Sequence, residues 1–133
     1  MDEQEKYNYW LEHARYDMKA AEAMLNSGLW LYAVFMCQQA IEKLVKGIYG
    51  LLVDADKVPR VHNIERLVKE FEDKLHEPVR EEYYNLFAIL SGYYLNNRYP
   101  DFKTDLASTT NEDKAREIFA QTREAFAWLQ TLN

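Results

Sequence analysis

The sequence predicts an all-α protein, an up-and-down antiparallel helical bundle of about five helices. Only 4 glycines and 3 prolines occur in the 133 residues, which leaves room for long helices and few turns. Ala, Leu, Glu, Lys and Gln are common and β-branched residues are sparse, which favours helix over sheet. Apolar residues recur at steps of three and four along most of the chain, the spacing of one helix face.

The first helix is predicted from about Glu5 to Asn26. Its apolar residues share one face, and Asn26-Ser27-Gly28 supplies the stop signal. The stripe consists of Leu11, Ala14, Met18, Ala21 and Leu25.

The second helix is predicted from about Leu29 to Leu52, with an apolar stripe so broad that it indicates a central helix packed on two sides. Gln38 and Gln39 interrupt this run. We expect one of them to project between helices and to find a hydrogen-bond partner there.

The third helix is predicted from His62 or Asn63 to about Leu75, and the fourth from Pro78 to about Asn97. Proline is tolerated in the first turn of a helix, because the N–H groups of that turn have no carbonyl partner within the helix and the N–H that proline lacks is not needed. The inward positions are Ile64, Leu67, Val68, Phe71 and Leu75, then Val79, Tyr83, Leu86, Phe87, Leu90 and Tyr94.

Arg98-Tyr99-Pro100-Asp101 interrupts the helical pattern. Proline has a fixed φ and pushes the preceding residue toward an extended conformation, so the fourth helix is expected to end near Arg98. A Ser/Thr-rich loop is predicted next. Thr110 and Asp113 then resemble a capping arrangement that opens a fifth helix to the C-terminus.

The length predicts a single domain, residues 1–133. A net charge of −6 disfavours non-specific binding of nucleic acid, although it leaves a local basic pocket open. The single cysteine, Cys37, lies in an apolar run and is expected to be buried and inert. Neither a signal-peptide pattern nor a bilayer-spanning apolar run occurs, so a cytoplasmic protein without membrane contact is expected.

Common catalytic and cofactor motifs are missing from the sequence. It contains neither a P-loop nor GxGxxG, no Glu-x-x-His and no cysteine pair for zinc. Ordinary hydrolase and metal chemistry is therefore disfavoured, and we expect neither a cofactor, nor a metal, nor catalytic residues.

Two regions carry candidate binding residues. Glu42 and Lys46 are four apart on a helix, which by itself predicts a solvated ion pair. His62 lies beside the predicted start of the third helix, with Arg60 and Arg66 nearby. This region is either a phosphate or nucleotide site or a capping histidine among solvated charges.

Two further sets of side chains have both a packing and a functional interpretation. His13 and Asp17, one turn apart on the first helix, are expected to form an exposed pair or to pack. Tyrosines concentrate around the fourth helix, where packing within a bundle or across a dimer is their commoner use and base stacking is the alternative. These are Tyr83, Tyr84, Tyr93, Tyr94 and Tyr99.

An ordered set of short pieces spans nearly the whole chain. The pieces are residues 14–25 with Asp17, Gly28, Gln39-Ala40-x-Glu42-Lys43-x-x-Lys46, His62-Asn63-Ile64-x-x-Leu67, and Tyr94-x-x-x-Arg98-Tyr99-Pro100-Asp101. Together they resemble the HEPN domain family, the "higher eukaryotes and prokaryotes nucleotide-binding" helical bundles.

The resemblance implies an up-and-down bundle that often forms homodimers. Many such proteins partner a separately encoded minimal nucleotidyltransferase, often as a toxin–antitoxin pair. Some are ribonucleases in which four to six residues separate an arginine from a following histidine. Here that window after Arg98 holds Lys103, Thr104 and Asp105, so the resemblance does not extend to ribonuclease activity.

The resemblance therefore favours a non-catalytic module that dimerises and partners a nucleotidyltransferase. The alternatives are an autonomous nucleotide-binding protein and a ribonuclease with altered catalytic residues. The candidate nucleotide- or partner-binding residues are Lys43, Lys46, His62, Arg98, Tyr99 and Asp101.

Overall fold

The helices are those of an all-α, up-and-down antiparallel bundle. The computed structural model describes residues 1–96 and 100–133, and it describes side chains for residues 1–94 and 105–133. Six α-helices and no strand occur in these ranges. The helices are α1 (Glu3–Asn26), α2 (Trp30–Tyr49), α3 (Ile64–Lys69), α4 (Glu81–Asn96), α5 (Pro100–Thr109) and α6 (Glu112–Gln130).

The first two helices form a long antiparallel hairpin. The Asp2 side chain caps α1 by accepting a hydrogen bond of 2.8 Å from the backbone N–H of Glu5. Gly28 follows the helix with a φ of 77°, a left-handed conformation that favours glycine, so the predicted stop is confirmed. On α2, a Cβ added to Gly47 would lie 2.8 Å from the Cβ of Trp10, so glycine is what allows α1 and α2 to approach here.

The second helix lies at the centre of the bundle, as its broad apolar stripe predicts. It packs against α1, α3, α4 and α6, and most of its side chains are buried. Cys37 and Leu44 are fully inaccessible to solvent. The α-helix ends at Tyr49 and continues as one turn of π-helix over Gly50–Asp54, where the sequence predicted α-helix to Leu52.

The third and fourth helices are both shorter than predicted. α3 ends at Lys69, and a 3₁₀ turn at Glu72–Lys74 replaces the rest of the predicted third helix. Pro78 lies before α4 rather than in its first turn, because the helix begins only at Glu81. Glu81 and Glu82 occupy that first turn, where carboxylates interact favourably with the positive end of the helix dipole.

The segment predicted as a Ser/Thr-rich loop is instead the helix α5. Pro100 is its first residue, a position that suits proline. The hydroxyls of Ser108 and Thr109 donate to the backbone carbonyl of Asp105 at 2.7 and 3.1 Å, so they are satisfied within the helix. With this additional helix, the described residues contain six α-helices, where the sequence predicts about five.

The cap of the last helix lies one residue later than predicted. Asn111 caps α6, because its side-chain oxygen accepts a hydrogen bond of 2.9 Å from the N–H of Lys114. Thr110 is buried instead, with its hydroxyl 2.7 Å from the hydroxyl of Tyr93. Across the residues placed by the structure, no helix is both long enough and apolar enough to cross a bilayer.

Candidate functional site

A buried carboxylate on α2, that of Glu42, organises a polar cluster inside the bundle. Its Oε1 accepts a 2.7 Å hydrogen bond from Nε2 of Gln38, and its Oε2 lies 2.9 Å from Nζ of Lys46. Nδ1 of His62 lies 3.1 Å from both oxygens. Gln39 donates to the Gln38 side chain at 2.6 Å. We call Gln38, Glu42, Lys46 and His62 the Glu42 cluster.

The Glu42–Lys46 pair is internal rather than solvated as the sequence predicted. Only 8% of the Glu42 side chain and 10% of the Lys46 side chain are exposed. Burying two charges is costly unless they are paired and their remaining donors and acceptors are satisfied. Gln38 and His62 supply the further donors for the carboxylate. The charge of Lys46 is thus neutralised within the protein.

A second ion pair joins α1 to α2. Nζ of Lys43 bonds to Oδ2 of Asp17, whose side chain is only 10% exposed, while that of Lys43 is 31% exposed. Of the two alternatives for His13, the structure agrees with packing, because its ring contacts Tyr9, with ring centroids 4.4 Å apart, while Asp17 pairs with Lys43. Lys43 and Lys46 therefore both have carboxylate partners within the chain.

His62 is held at the edge of the cluster with part of its ring open to solvent. A carboxylate can only accept, so the hydrogen bond to Glu42 places a proton on Nδ1. In the neutral ring Nε2 is then an acceptor. The ring stacks on Tyr94, with centroids 4.0 Å apart and planes 27° apart, and 44% of the side chain is exposed.

Two backbone donors at the start of α3 have partners within the protein. The N–H of Ile64 donates to Oγ of Ser91 at 3.0 Å, and the N–H of Arg66 donates to Oδ1 of Asn63 at 3.0 Å. α3 has only six residues. These two N–H groups are therefore already engaged within the chain, and the phosphate or nucleotide site suggested beside His62 stays a prediction. Arg60 and Arg66 are exposed nearby.

Several tyrosines of α4 pack inside the bundle. Tyr83 stacks on Trp128 with ring centroids 5.0 Å apart, and Tyr93 bonds to Thr110. The Tyr84 hydroxyl is buried, and burial raises the pKa of Tyr84 above its ordinary value. Packing, their commoner use, thus accounts for these three residues.

The three remaining candidate residues have no described side chain. Arg98 and Tyr99 lie outside the described residues, and Asp101 is placed only as a backbone position of α5. Their relation to His62 stays a prediction. Among the side chains that the structure does describe, no group of three or more His, Cys, Asp or Glu residues could hold a metal ion.

Sequence reasoning missed Glu42 as the centre of the cluster, Asp17 as the partner of Lys43, and Tyr94 as the partner of His62. A signal for the first was present. Gln38, Glu42 and Lys46 follow one another at four-residue steps on one helix, so they share a face. The contacts with Asp17 and Tyr94 join residues far apart in sequence, and helical spacing does not predict them.

Comparison with known proteins places this arrangement in context. The family model of the HEPN domain matches residues 7–132. The fold is similar to the crystal structure of TT1696 from Thermus thermophilus, with a TM-score of 0.79, 25% identity, and coverage of 96% of this chain and 98% of that one.

A second solved structure, ST0689, described as an archaeal HEPN homologue, has a TM-score of 0.71 and 22% identity. The alignment covers 96% of this chain and 98% of that one. No curated protein matches the sequence.

Proposed function

The chain belongs to the HEPN domain family, and we propose that it is a non-catalytic module that forms a homodimer and partners a separately encoded minimal nucleotidyltransferase. The pair would act as a toxin–antitoxin-like two-component system. In it, this module would complete or position a nucleotide or substrate site, with Arg98 meeting a phosphate or a partner carboxylate.

The observation that carries this proposal is the distribution of exposed apolar side chains. Among the described side chains, most of the large ones lie at the N-terminus, on α1, at the α1–α2 turn or in the first turn of α2, and three of them are tyrosines. They are Met1, Tyr9, Tyr16, Leu29 and Tyr32, with Val53 and Ile89 elsewhere. Tyrosine is enriched at protein interfaces because it combines a large apolar area with a polar tip. We therefore assign α1 and this turn to protein contacts.

The charge arrangement favours a protein-binding module over an autonomous nucleotide-binding protein. Lys43 and Lys46 are paired with Asp17 and Glu42. A phosphate near either lysine would have to compete with a carboxylate already in place, inside a chain of net charge −6. Positive charge for a nucleotide would then have to come from other residues or from the partner.

Co-purification tests the partner role. The protein is purified with the nucleotidyltransferase-like protein encoded beside it, and the masses of the free chain and of the mixture are measured by light scattering. We expect a homodimer alone and a stable heteromeric complex at micromolar concentrations. A monomeric chain that does not associate with such a neighbour would contradict the proposal.

A matched pair of variants assigns the surface. Tyr16 is 74% exposed on α1, so Tyr16→Glu introduces a charge there with no loss of core contacts. We expect it to weaken the homodimer or the complex while the melting temperature stays unchanged. Gln121→Glu introduces the same charge at an exposed position on α6 and should leave assembly intact. Equal effects of both variants on assembly would show that α1 is not part of the interface.

Autonomous nucleotide binding has a simple test. Melting of the isolated protein is followed with millimolar ATP and GTP, because a ligand present at a hundred times its dissociation constant stabilises by about 2.7 kcal/mol. The partner proposal expects no such shift without the second protein. A clear shift for the isolated chain would favour the alternative.

The ribonuclease alternative rests on Arg98. We expect purified protein to leave total RNA intact, since no histidine follows that arginine at the ribonuclease spacing. Cleavage by the wild type that is lost in Arg98→Ala would instead establish an enzyme.

A further inference from the structure

Beside the Glu42 cluster lies an open cleft of about 490 Å³ between α3 and α4. Its lining residues are Val61, His62, Asn63, Glu65, Ala88, Ser91, Gly92 and Tyr94. Small residues on α4 create the space. Among the described residues, no atom other than the immediate backbone lies within 4 Å of the point where a Cβ on Gly92 would be.

Glu65 is one of the residues that line the cleft. Among the described side chains, its Oε1 is buried and receives no hydrogen bond, and no ion pair includes Glu65. The basic residues that follow it on α3 are directed elsewhere. Arg66 is exposed, and Nζ of Lys69 lies over the ring of Tyr84, 5.7 Å from its centroid. A partly desolvated carboxylate without donors is costly. A turn of the Glu65 carboxylate toward a cationic donor in the cleft would therefore be favourable.

Two stacked rings form another part of the wall. His62 and Tyr94 both line the cleft with their ring centroids 4.0 Å apart, and the bond to Glu42 fixes the orientation of the imidazole. Aromatic faces attract flat cations. A guanidinium group is planar, stacks on such rings and matches a carboxylate with two parallel N–H donors. An ammonium group has the charge without the plane.

We propose that this cleft is a binding site for a guanidinium group, which pairs with Glu65 and packs its plane against the His62–Tyr94 stack. The group comes either from an arginine side chain of a protein partner or from a small guanidino compound. This site goes beyond the nucleotidyltransferase role and does not depend on it, because binding takes place in the isolated chain.

The test is a titration of the isolated, ¹⁵N-labelled protein followed by NMR. The probes are N-acetyl-arginine methylamide, agmatine and, as a matched ammonium control, N-acetyl-lysine methylamide. We expect saturable chemical-shift changes of the Glu65, Ser91 and Gly92 amides with both guanidinium probes. We expect the lysine probe to bind at least about tenfold more weakly. Tighter binding of agmatine assigns a small molecule, and equal or tighter binding of the blocked arginine assigns a protein side chain.

Three variants make the result specific. Glu65→Gln removes the charge with little change of shape, and Gly92→Leu fills the cleft where the structure has room for a side chain. Both should lose the saturable shifts while melting as cooperatively as the wild type. Glu22→Gln removes an equal charge from an exposed position on α1 and should bind like the wild type. The proposal is overturned by a wild type without saturable shifts, by equal affinity for the lysine probe, or by unchanged binding in Glu65→Gln.

Discussion

Glu42 illustrates how one side chain determines the state of several others. It accepts hydrogen bonds from Gln38, Lys46 and His62. Removing it leaves an ammonium group inside the protein without its partner, and an orphaned buried charge is the costly outcome. The carboxylate is therefore the member of the cluster whose loss should be felt most in stability.

The chain contains a matched control for this prediction, the exposed pair Glu112–Arg116, which has the same four-residue spacing and a separation of 2.8 Å. We expect Glu42→Ala to lower the free energy of unfolding by about 3 kcal/mol or more, and Glu112→Ala by about 0.5 kcal/mol or less. Urea denaturation measures both. Similar small losses would mean that the buried pair contributes no more than a surface pair.

Cys37 gives a pH-dependent prediction at the same scale. Burial raises the pKa of its thiol from 9.0 to about 12. The folded state therefore retains the proton where the unfolded chain loses it. The stability that this provides is fully present below pH 9 and is lost as the pH rises toward 12.

We expect the free energy of unfolding to fall more steeply across this alkaline range in the wild type than in Cys37→Ala. Tyrosines titrate in the same range, so the difference between the two proteins is the quantity to compare. Parallel curves would show that Cys37 is ionised equally in both states.

At the scale of the helices, two glycines occupy helical positions with opposite surroundings. A Cβ on Gly47 would meet Trp10 at 2.8 Å, whereas a Cβ on Gly92 would meet open space. Alanine favours a helix over glycine by about 0.5–1 kcal/mol. Whether replacing glycine by alanine raises or lowers the free energy of unfolding is thus decided by what lies beside the helix at that position.

We expect Gly92→Ala to stabilise the protein by about 0.5–1 kcal/mol and Gly47→Ala to destabilise it, because Trp10 has to move away from α2. Thermal melting of the two variants measures the difference. Stabilisation by both would show that α1 adjusts to the added methyl group without loss.

The helices differ in how well the sequence predicts them, for a physical reason. α1, α2 and α6 are long and strongly periodic, and local spacing predicts them within a few residues. α3 and α5 are short, so tertiary packing decides their limits. The sequence pattern predicts a break at Pro100, yet as the first residue of α5 this proline fits a helix. The same limitation applies to the site, where contacts within α2 were predictable and those to His62 and Asp17 depend on the fold.

At the scale of the whole molecule, core and candidate site can be separated by comparing two substitutions. Leu44 is fully buried in the central helix. We expect Leu44→Ala to cost about 2–5 kcal/mol of stability through the cavity it leaves. Arg98→Ala is expected to change stability by about 0.5 kcal/mol or less while weakening partner or ligand binding. Denaturation curves and a binding assay on both variants check this. A larger stability loss for Arg98→Ala would make that arginine structural.

The three tryptophans stand at three different helix junctions. Trp10 lies where α1 comes close to Gly47 of α2. Trp30 of α2 has its ring centroid 5.8 Å from the guanidinium carbon of Arg116 on α6. Trp128 of α6 stacks on Tyr83 of α4. Variants that retain a single indole would therefore emit from one known junction each. Fluorescence could then follow separately how each pair of helices comes apart, with no label attached.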